Sequence, residues 1–141
     1  MNATYMLDTN TVSYIVKNQS PRARKKLLKH SEEDDVCISA ITAAEIRFGM
    51  AKRKLGEDTK AAIELFLEKL DVLPWDLTAA KEYGRTRAAL EFAGKPLGNM
   101  DLLIASHAAS AGAVLVTSDA GVKSCARHFS SLATVNWADD V

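Results

Sequence analysis

Residues 5–16, "YMLDTNTVSYIV", place an aspartate between a short apolar run and a segment with the pattern of a helix. The residues before Asp8 are typical of a short buried strand, and a helix is expected to begin near Thr11. An aspartate at such a junction can cap the helix, and it can equally belong to a functional site. The stretch therefore predicts a strand–helix unit and leaves the role of its carboxylate open.

Further apolar runs suited to buried strands alternate with helical patterns along the chain. A helix is predicted from Pro21 to about His30, because Ser20 suits the N-cap and proline suits the first turn. Alternating strands and helices predict a mostly parallel sheet covered on both faces, and ligands bind beyond the carboxyl ends of such strands. The predicted strands are residues 4–7, 36–39, 71–73, 113–117 and 133–136.

Three more helical segments follow from spacing and from end signals. Apolar residues within 63–70 repeat at the spacing of an amphipathic helix. A second helix is predicted from residue 77 to about residue 92, before a glycine and a proline. A third covers residues 100–111, with Asn99 suited to its N-cap and Gly112 to its C-terminal end.

The composition is that of one soluble globular domain over residues 1–141. The chain is 48% hydrophobic and 26% charged, and its formal net charge is zero. Because there is no overall basic field, contacts with nucleic acid would rest on local patches, such as residues 22–29 and 52–54. Cys37 and Cys125 lack metal-ligand spacing and are expected to be free thiols. A cytoplasmic protein without a membrane segment is predicted, since no signal pattern or long apolar run is present.

Four acidic residues occupy places where strands end or helices begin. Asp8, Glu45 and Asp119 follow predicted strands, and Asp101 opens a predicted helix. Each has a structural explanation alone: Thr42 and Glu45 fit the capping-box pattern, for example, and an acid in a first turn favours the helix dipole. Together they would repel, at about 4 kcal/mol for a pair about 4 Å apart at an effective dielectric near 20. Such a cluster either raises its own pKa values or holds cations.

The residue types of this set indicate which cation it would hold. Carboxylate oxygens without histidine or cysteine favour Mg²⁺ or Mn²⁺ over zinc. His107 is a poor co-ligand because it lies on another side of the predicted helix from Asp101, so a packing or surface role is expected. A Mg²⁺ site suits phosphodiester hydrolysis, in which the ion activates water and offsets charge on the transition-state oxygens.

Three longer segments resemble one protein family. In this order and spacing they are similar to the PIN-domain ribonucleases, specifically to the VapC toxins of bacterial toxin–antitoxin pairs. The piece "PLGNMDLLIASHA" is the most specific, and "MLDTN" is the next. The segments are "MLDTNTVSYIV" (6–16), "ISAITAAEIRFGMAK" (38–52) and "RAALEFAGKPLGNMDLLIASHAASAGAVLVTSD" (87–119).

The resemblance implies an α/β fold, a PIN-like three-layer α/β/α sandwich with a central, mostly parallel sheet of about five strands. The acidic quartet of the family falls on the four acids described above, as ligands of one or two divalent metal ions. Asn10 matches a polar residue that orders the pocket by hydrogen bonds, and Thr117 matches a hydroxyl residue after the fourth strand. Arg87 matches a basic position near the pocket, where a contact to RNA phosphate is expected.

The resemblance also implies an activity and its partners. The activity is that of a Mg²⁺- or Mn²⁺-dependent endoribonuclease that acts on structured RNA, with tRNA anticodon loops as the leading class. Unpaired loops are where proteins usually read RNA sequence. A VapB-like antitoxin would cover the acidic pocket. It would pack on apolar surface that this chain supplies from helices within residues 11–30 and 42–70. A homodimer inside a toxin–antitoxin hetero-oligomer is expected, and operator DNA would be contacted only through the antitoxin.

Two alternatives stay open at the level of sequence. A non-catalytic PIN-like module that binds protein or RNA would carry degenerate acids, whereas all four are present here. A phosphatase with Asp8 as nucleophile is suggested by "DTNT" (8–11), but Asn10 stands where that chemistry needs a second acid. One departure from the family is Ser118, where many relatives have asparagine.

Overall fold

Five short apolar runs form one parallel β-sheet in the computed structural model, which describes residues 2–141. All five predicted strands are confirmed, each to within one residue at either end. The strands are β1 (Thr4–Leu7), β2 (Asp35–Ser39), β3 (Asp71–Leu73), β4 (Val114–Val116) and β5 (Thr134–Val135). Their order across the sheet is β3-β2-β1-β4-β5, and β1 pairs in parallel with β2 and β4. The first strand is therefore central, and Asp8 follows it at the carboxyl edge of the sheet.

Helices connect and cover these strands. Those predicted from residues 21, 77 and 100 are confirmed, but the segments 11–30 and 42–70 each contain two helices with a break between them. Asn18, with φ of 55°, lies in the first break. No helix in residues 2–141 is long and apolar enough to cross a membrane. The helices are α1 (Thr9–Val16), α2 (Pro21–Glu33), α3 (Ala40–Lys52), α4 (Glu57–Glu68), α5 (Leu77–Phe92), α6 (Asn99–Ala111) and α7 (Ala120–Cys125).

Two predicted helix starts are wrong. The N-cap of α3 is Ser39, whose hydroxyl accepts a backbone N–H of the first turn, so Thr42 and Glu45 lie inside the helix and form no capping box. The N-cap of α6 is Gly98, and Asn99 is the first helical residue. The reason is the same in both cases: the strand or loop before each helix turns one to three residues earlier than the side-chain pattern indicates. Both acids therefore lie on helices whose starts are fixed by other residues.

The sheet separates two apolar cores. Because consecutive strand residues point to opposite faces, Met6 packs with residues of α5, α6 and α7, while Leu7 packs with residues of α1, α2 and α4. Both side chains are fully buried. Burial of one such side chain contributes about 1.5–3 kcal/mol. The predicted three-layer α/β/α sandwich is confirmed, and it holds the carboxyl edge of the sheet rigidly between two helical layers.

Both cysteines are free thiols buried in these cores, as the sequence predicts. Burial, with smaller contributions from the charges of Asp71 and Asp35, raises the pKa of the Cys37 thiol to about 11. A thiol with that pKa stays protonated at neutral pH and is a weak nucleophile. Cys37 is therefore a packing residue.

Candidate active site

Asp8 is held at the carboxyl end of the central strand by the helix that follows it. Its Oδ1 accepts the N–H of Thr11 at 2.8 Å, which makes it the N-cap of α1. The helix begins at Thr9, two residues before the predicted start. Asp8 is 8% exposed, so its orientation is fixed by packing as well as by the cap. Capping uses one carboxylate oxygen and leaves Oδ2 for another partner.

Glu45 is fixed from a different helix. It lies inside α3, and its Oε1 accepts the hydroxyl of Thr9 at 2.5 Å. This hydrogen bond ties the first turn of α1 to α3 and brings Glu45 to the residue next to Asp8. Sequence reasoning missed Thr9, although it is the middle residue of the "DTN" motif. Its role depends on the packing of two helices, which no local pattern contains.

Asp119 repeats the arrangement of Asp8 at the neighbouring strand. Its Oδ1 accepts the N–H of Val122 at 3.0 Å and caps α7. Its own backbone N–H donates to Oγ1 of Thr117 at 3.1 Å. Thr117 is 1% exposed and directly follows β4. The predicted supporting residue Thr117 thus orders the turn that carries Asp119.

The pKa of Asp101 is affected by the charges of the other three acids. It lies in the first turn of α6, half-buried, without a side-chain hydrogen bond among the described residues. Burial raises its pKa, and the charges of Asp119, Asp8 and Glu45 raise it further. Neighbouring charges raise the pKa of a carboxyl group in this way only where they lie close to it. The four predicted acids therefore share one edge of the sheet and one electrostatic site.

Two glycines allow this crowding, and sequence reasoning missed both. A Cβ on Gly98 would lie 3.3 Å from Oδ2 of Asp101, and one on Gly121 would lie 3.0 Å from Oδ1 of Asp119. At both positions the backbone approaches a carboxylate more closely than a side chain would comfortably permit. Their places in "LGNMD" and "SDAG", each within three residues of an acid, are the signal that the sequence offers.

Within residues 2–141, two other predicted residues make no hydrogen bond to the four acids. Asn10 is exposed on the first turn of α1, and the hydrogen bond that holds Glu45 comes from Thr9 instead. Arg87, on α5, donates to the Tyr83 hydroxyl at 2.9 Å, and this hydrogen bond raises the pKa of the guanidinium. The Tyr83 hydroxyl in turn donates to Asn99 at 2.8 Å. Arg87 is thereby connected to the start of α6, two residues before Asp101.

His107 packs, as predicted, and does not join the acids. It is 3% exposed, and its Nδ1 lies 2.8 Å from Oγ of Ser39 at the end of β2. Burial lowers its pKa, so the ring is neutral at physiological pH. The pair links α6, which carries Asp101, to the strand that leads into α3.

The donor set suits a hard divalent cation held in part through water. No three histidine, cysteine, aspartate or glutamate side chains in residues 2–141 are close enough together to ligate one ion directly as they stand. Mg²⁺ retains several water ligands and needs only one or two protein carboxylates. A half-buried carboxylate whose pKa is raised by three others gains from a bound cation, which would offset that repulsion. The residues present therefore fit Mg²⁺ or Mn²⁺.

Comparison with known proteins assigns the chain to a family. The PIN-domain family profile matches residues 5–127. The tRNA(fMet)-specific endonuclease VapC of Salmonella typhimurium is 38% identical over 115 residues, which cover 82% of this chain and 86% of the relative. The protein of the same name from Shigella flexneri is 36% identical with the same coverage.

Solved structures agree with this assignment. The crystal structure of VapBC2 from Rickettsia felis, bound to a DNA fragment from its promoter, superposes with a TM-score of 0.86 at 32% identity. The match covers 95% of this chain and 98% of that chain. Fold and sequence point the same way. The chain belongs to the PIN-domain family, in the group of the VapC ribonucleases.

Proposed function

We propose that this chain, as one PIN domain, is the toxin of a type II toxin–antitoxin pair and a Mg²⁺- or Mn²⁺-dependent endoribonuclease. It cleaves structured RNA, with tRNA as the leading class, and so inhibits translation and growth in the cytoplasm. The relatives in Salmonella typhimurium and Shigella flexneri carry the name of tRNA(fMet)-specific endonucleases. The observation that carries the proposal is the placement of the acids in a PIN domain: Asp8 and Asp119 follow the paired strands β1 and β4, and the Thr9 hydroxyl holds Glu45 beside Asp8.

In three of the four carboxylates, one oxygen accepts a hydrogen bond from the chain. Asp8 and Asp119 each use Oδ1 to cap a helix, and Glu45 uses Oε1 to accept the Thr9 hydroxyl. The second oxygen of each side chain is left for a ligand, and the orientation of each is already fixed. Helix capping and function are therefore not alternatives for Asp8, because one carboxylate serves both.

A divalent cation would be held by Asp8 and Asp101, with Glu45 and Asp119 contributing directly or through water. When bound, it would supply activation of water and neutralisation of charge on the phosphodiester oxygens. The four acids themselves would orient the hydration shell of the ion. Arg87, tied to α6 through Tyr83, is proposed to contact a flanking phosphate.

An apolar groove beside the acids is the proposed seat of a VapB-like antitoxin. It has a volume of about 300 Å³ and lies between α1, α3 and α4. Thr9 and Glu45 line it together with apolar side chains such as Val12, Met50 and Ile63. An apolar helix of the antitoxin fits this groove, and a basic residue beyond it would reach the carboxylates.

The proposed assembly is a homodimer of this chain within a toxin–antitoxin hetero-oligomer, which contacts operator DNA through the antitoxin. The VapBC2 complex of Rickettsia felis was crystallised with a promoter fragment, which supports this arrangement.

The test is to map new RNA ends. Purified protein is incubated with bacterial small RNA and Mg²⁺, and 5′-phosphate ends are sequenced beside an Asp8→Ala control. We expect discrete new ends in tRNA with the wild-type protein and none with Asp8→Ala or with EDTA. Full cleavage by a folded Asp8→Ala variant would contradict the proposal.

A further inference from the structure

A groove beside α2 concentrates positive charge in a chain whose net charge is zero. Its volume is about 540 Å³, larger than that of the apolar groove at the acidic edge. We call it the basic groove. The side chains of this groove are Arg22, Lys25, Lys26 and Lys29 on one side and Asn136, Trp137 and Asp139, all beyond β5, on the other.

Most of this charge is not used by the fold. Arg22 pairs with Asp139 at 3.0 Å, and Asp140 accepts the Arg22 backbone N–H at 3.2 Å at the start of α2. Among residues 2–141, no carboxylate lies within 4.0 Å of the ammonium groups of Lys25, Lys26 or Lys29. The C-terminal acids therefore neutralise the first turn only, and the three lysines remain available to a ligand.

The opposite wall of the basic groove is rigid. Trp137 is 2% exposed, and its ring stacks on His30 with centroids 4.9 Å apart and planes 7° apart. His30 is itself fixed by Asp34 at 2.8 Å. Asn136 accepts the N–H of Ala138 through Oδ1, which leaves its amide N–H groups as donors. A solvated helix face has no such wall, so the lysines border a formed groove.

The spacing of the cations suits a linear polyanion. Positions 22, 25, 26 and 29 lie on one face of α2 and extend over about 10 Å, at about 1.5 Å per residue. A nucleic-acid strand presents a regular row of phosphates along its backbone, so a row of cations can contact more than one of them. A single small anion would need convergent donors instead of a row.

The acidic edge explains why such a surface is needed. Four carboxylates repel a phosphate backbone, so the affinity for RNA has to come from another part of the molecule. The start of α2 contacts Asp139 and Asp140, which follow the last strand of the sheet. The basic groove is therefore a surface apart from the acids that can supply this affinity.

We propose that the basic groove binds the sugar–phosphate backbone of the RNA substrate, at a distance from the scissile bond. This inference rests on the proposed function and adds a docking surface to it. The wall formed by Asn136 and Trp137 lies beyond residues 5–127, the part matched by the family profile. The apolar groove at Thr9 is left to the antitoxin, so substrate and inhibitor use different surfaces.

The experiment compares two variants of equal charge. Lys25→Gln/Lys29→Gln removes two cations from the basic groove, and Lys69→Gln/Lys81→Gln removes two exposed cations elsewhere. Affinity for unfractionated bacterial tRNA is measured in EDTA from 50 to 300 mM KCl, and cleavage is measured in Mg²⁺. We expect the slope of log K against log[KCl] to fall by about 1–2 in the groove variant, as for one or two lost phosphate contacts. Its KM for tRNA should rise about tenfold while kcat is retained.

Two further measurements separate the role of the basic groove from that of the antitoxin site. The charge-keeping variant Lys25→Arg/Lys29→Arg should restore both slope and KM, and antitoxin affinity should be the same in all variants. Equal slopes in the groove and control variants would overturn the inference, as would a loss confined to antitoxin binding. Failure of the wild-type protein to bind and cleave RNA would instead overturn the proposed function.

Discussion

Two buried or half-buried carboxylates on adjacent helices are treated in opposite ways by this fold. Glu82 on α5 accepts four hydrogen bonds, from the Ser130 N–H and hydroxyl, the Thr86 hydroxyl and the Arg85 guanidinium, at 2.7–3.0 Å. Burial raises its pKa, but these hydrogen bonds outweigh burial and lower it overall. Asp101 on α6 has no such partners, and both burial and three neighbouring acids raise its pKa.

The difference separates a carboxylate that the chain satisfies by hydrogen bonds from one that it leaves without a side-chain partner. Glu82 links α5 to the segment before β5 through Ser130, so its charge is satisfied within the chain. The charge of Asp101 is left for something outside the chain to satisfy. Acids with raised pKa values and no side-chain partner, grouped in one site, are candidates for functional centres. Burial alone does not distinguish the two residues, but the identity of their partners does.

The largest expected effect comes from Asp101→Asn. Cleavage of tRNA in Mg²⁺ should fall about a thousandfold, as a loss of about 4 kcal/mol in transition-state stabilisation would give. The free energy of unfolding without metal should stay the same or rise, because a repelling charge is removed. Kinetics and denaturant melts of the same preparation measure both. Asp58→Asn, an exposed acid on α4, is the control, and equal activity of the two variants would break the comparison.

Glu82→Gln should show the converse behaviour. The free energy of unfolding should fall by about 2 kcal/mol, since a buried network loses its charged acceptor. Activity per folded molecule should be retained. Urea melts measure the change against Glu91→Gln, an exposed acid of α5 that pairs only with Arg87, where less than about 0.5 kcal/mol is expected. An unchanged free energy of unfolding in Glu82→Gln would show that the hydrogen bonds of Glu82 do not stabilise the fold.

The smallest expected effect is a change in how the free energy of unfolding, measured in EDTA, varies with pH. Glu82 has a lowered pKa, so its contribution is complete above its ordinary value of 4.5 and is lost as the pH falls toward its folded value. Asp101 has a raised pKa, so the folded state loses stability as the pH rises from 3.8 through its folded value. Urea melts from pH 3 to 7 should therefore show a shallower acid loss for Glu82→Gln and a steeper one for Asp101→Asn than for wild type. Parallel curves would contradict the opposite assignments.

Much of the fold follows from local sequence. Apolar runs of a few residues mark the strands, and Asp8 and Asp119 stand out because they come within three residues of the ends of two of them. The position of Glu45 shortly after β2 is visible in the sequence, but the predicted capping box does not form. Its true partner, Thr9, lies 36 residues away and is brought to it only by the packing of α1 on α3.

Other features depend on contacts that no local pattern records. Glu82 carries no sequence signal because its partner Ser130 lies 48 residues further along the chain. The start of α6 was misassigned to Asn99, since a glycine in an extended conformation can cap a helix through its backbone alone. The basic segment at residues 22–29 was visible in the sequence, but its groove requires Trp137 from the other end of the chain.

The central claim is that Asp101 and its three neighbours form one cation site. Isothermal titration of Mn²⁺ into metal-free wild-type protein, Asp101→Asn and Glu82→Gln tests it most directly. We predict binding by wild type and Glu82→Gln with similar affinity, and a loss of at least about tenfold in Asp101→Asn. Equal Mn²⁺ affinity in wild type and Asp101→Asn would contradict the account.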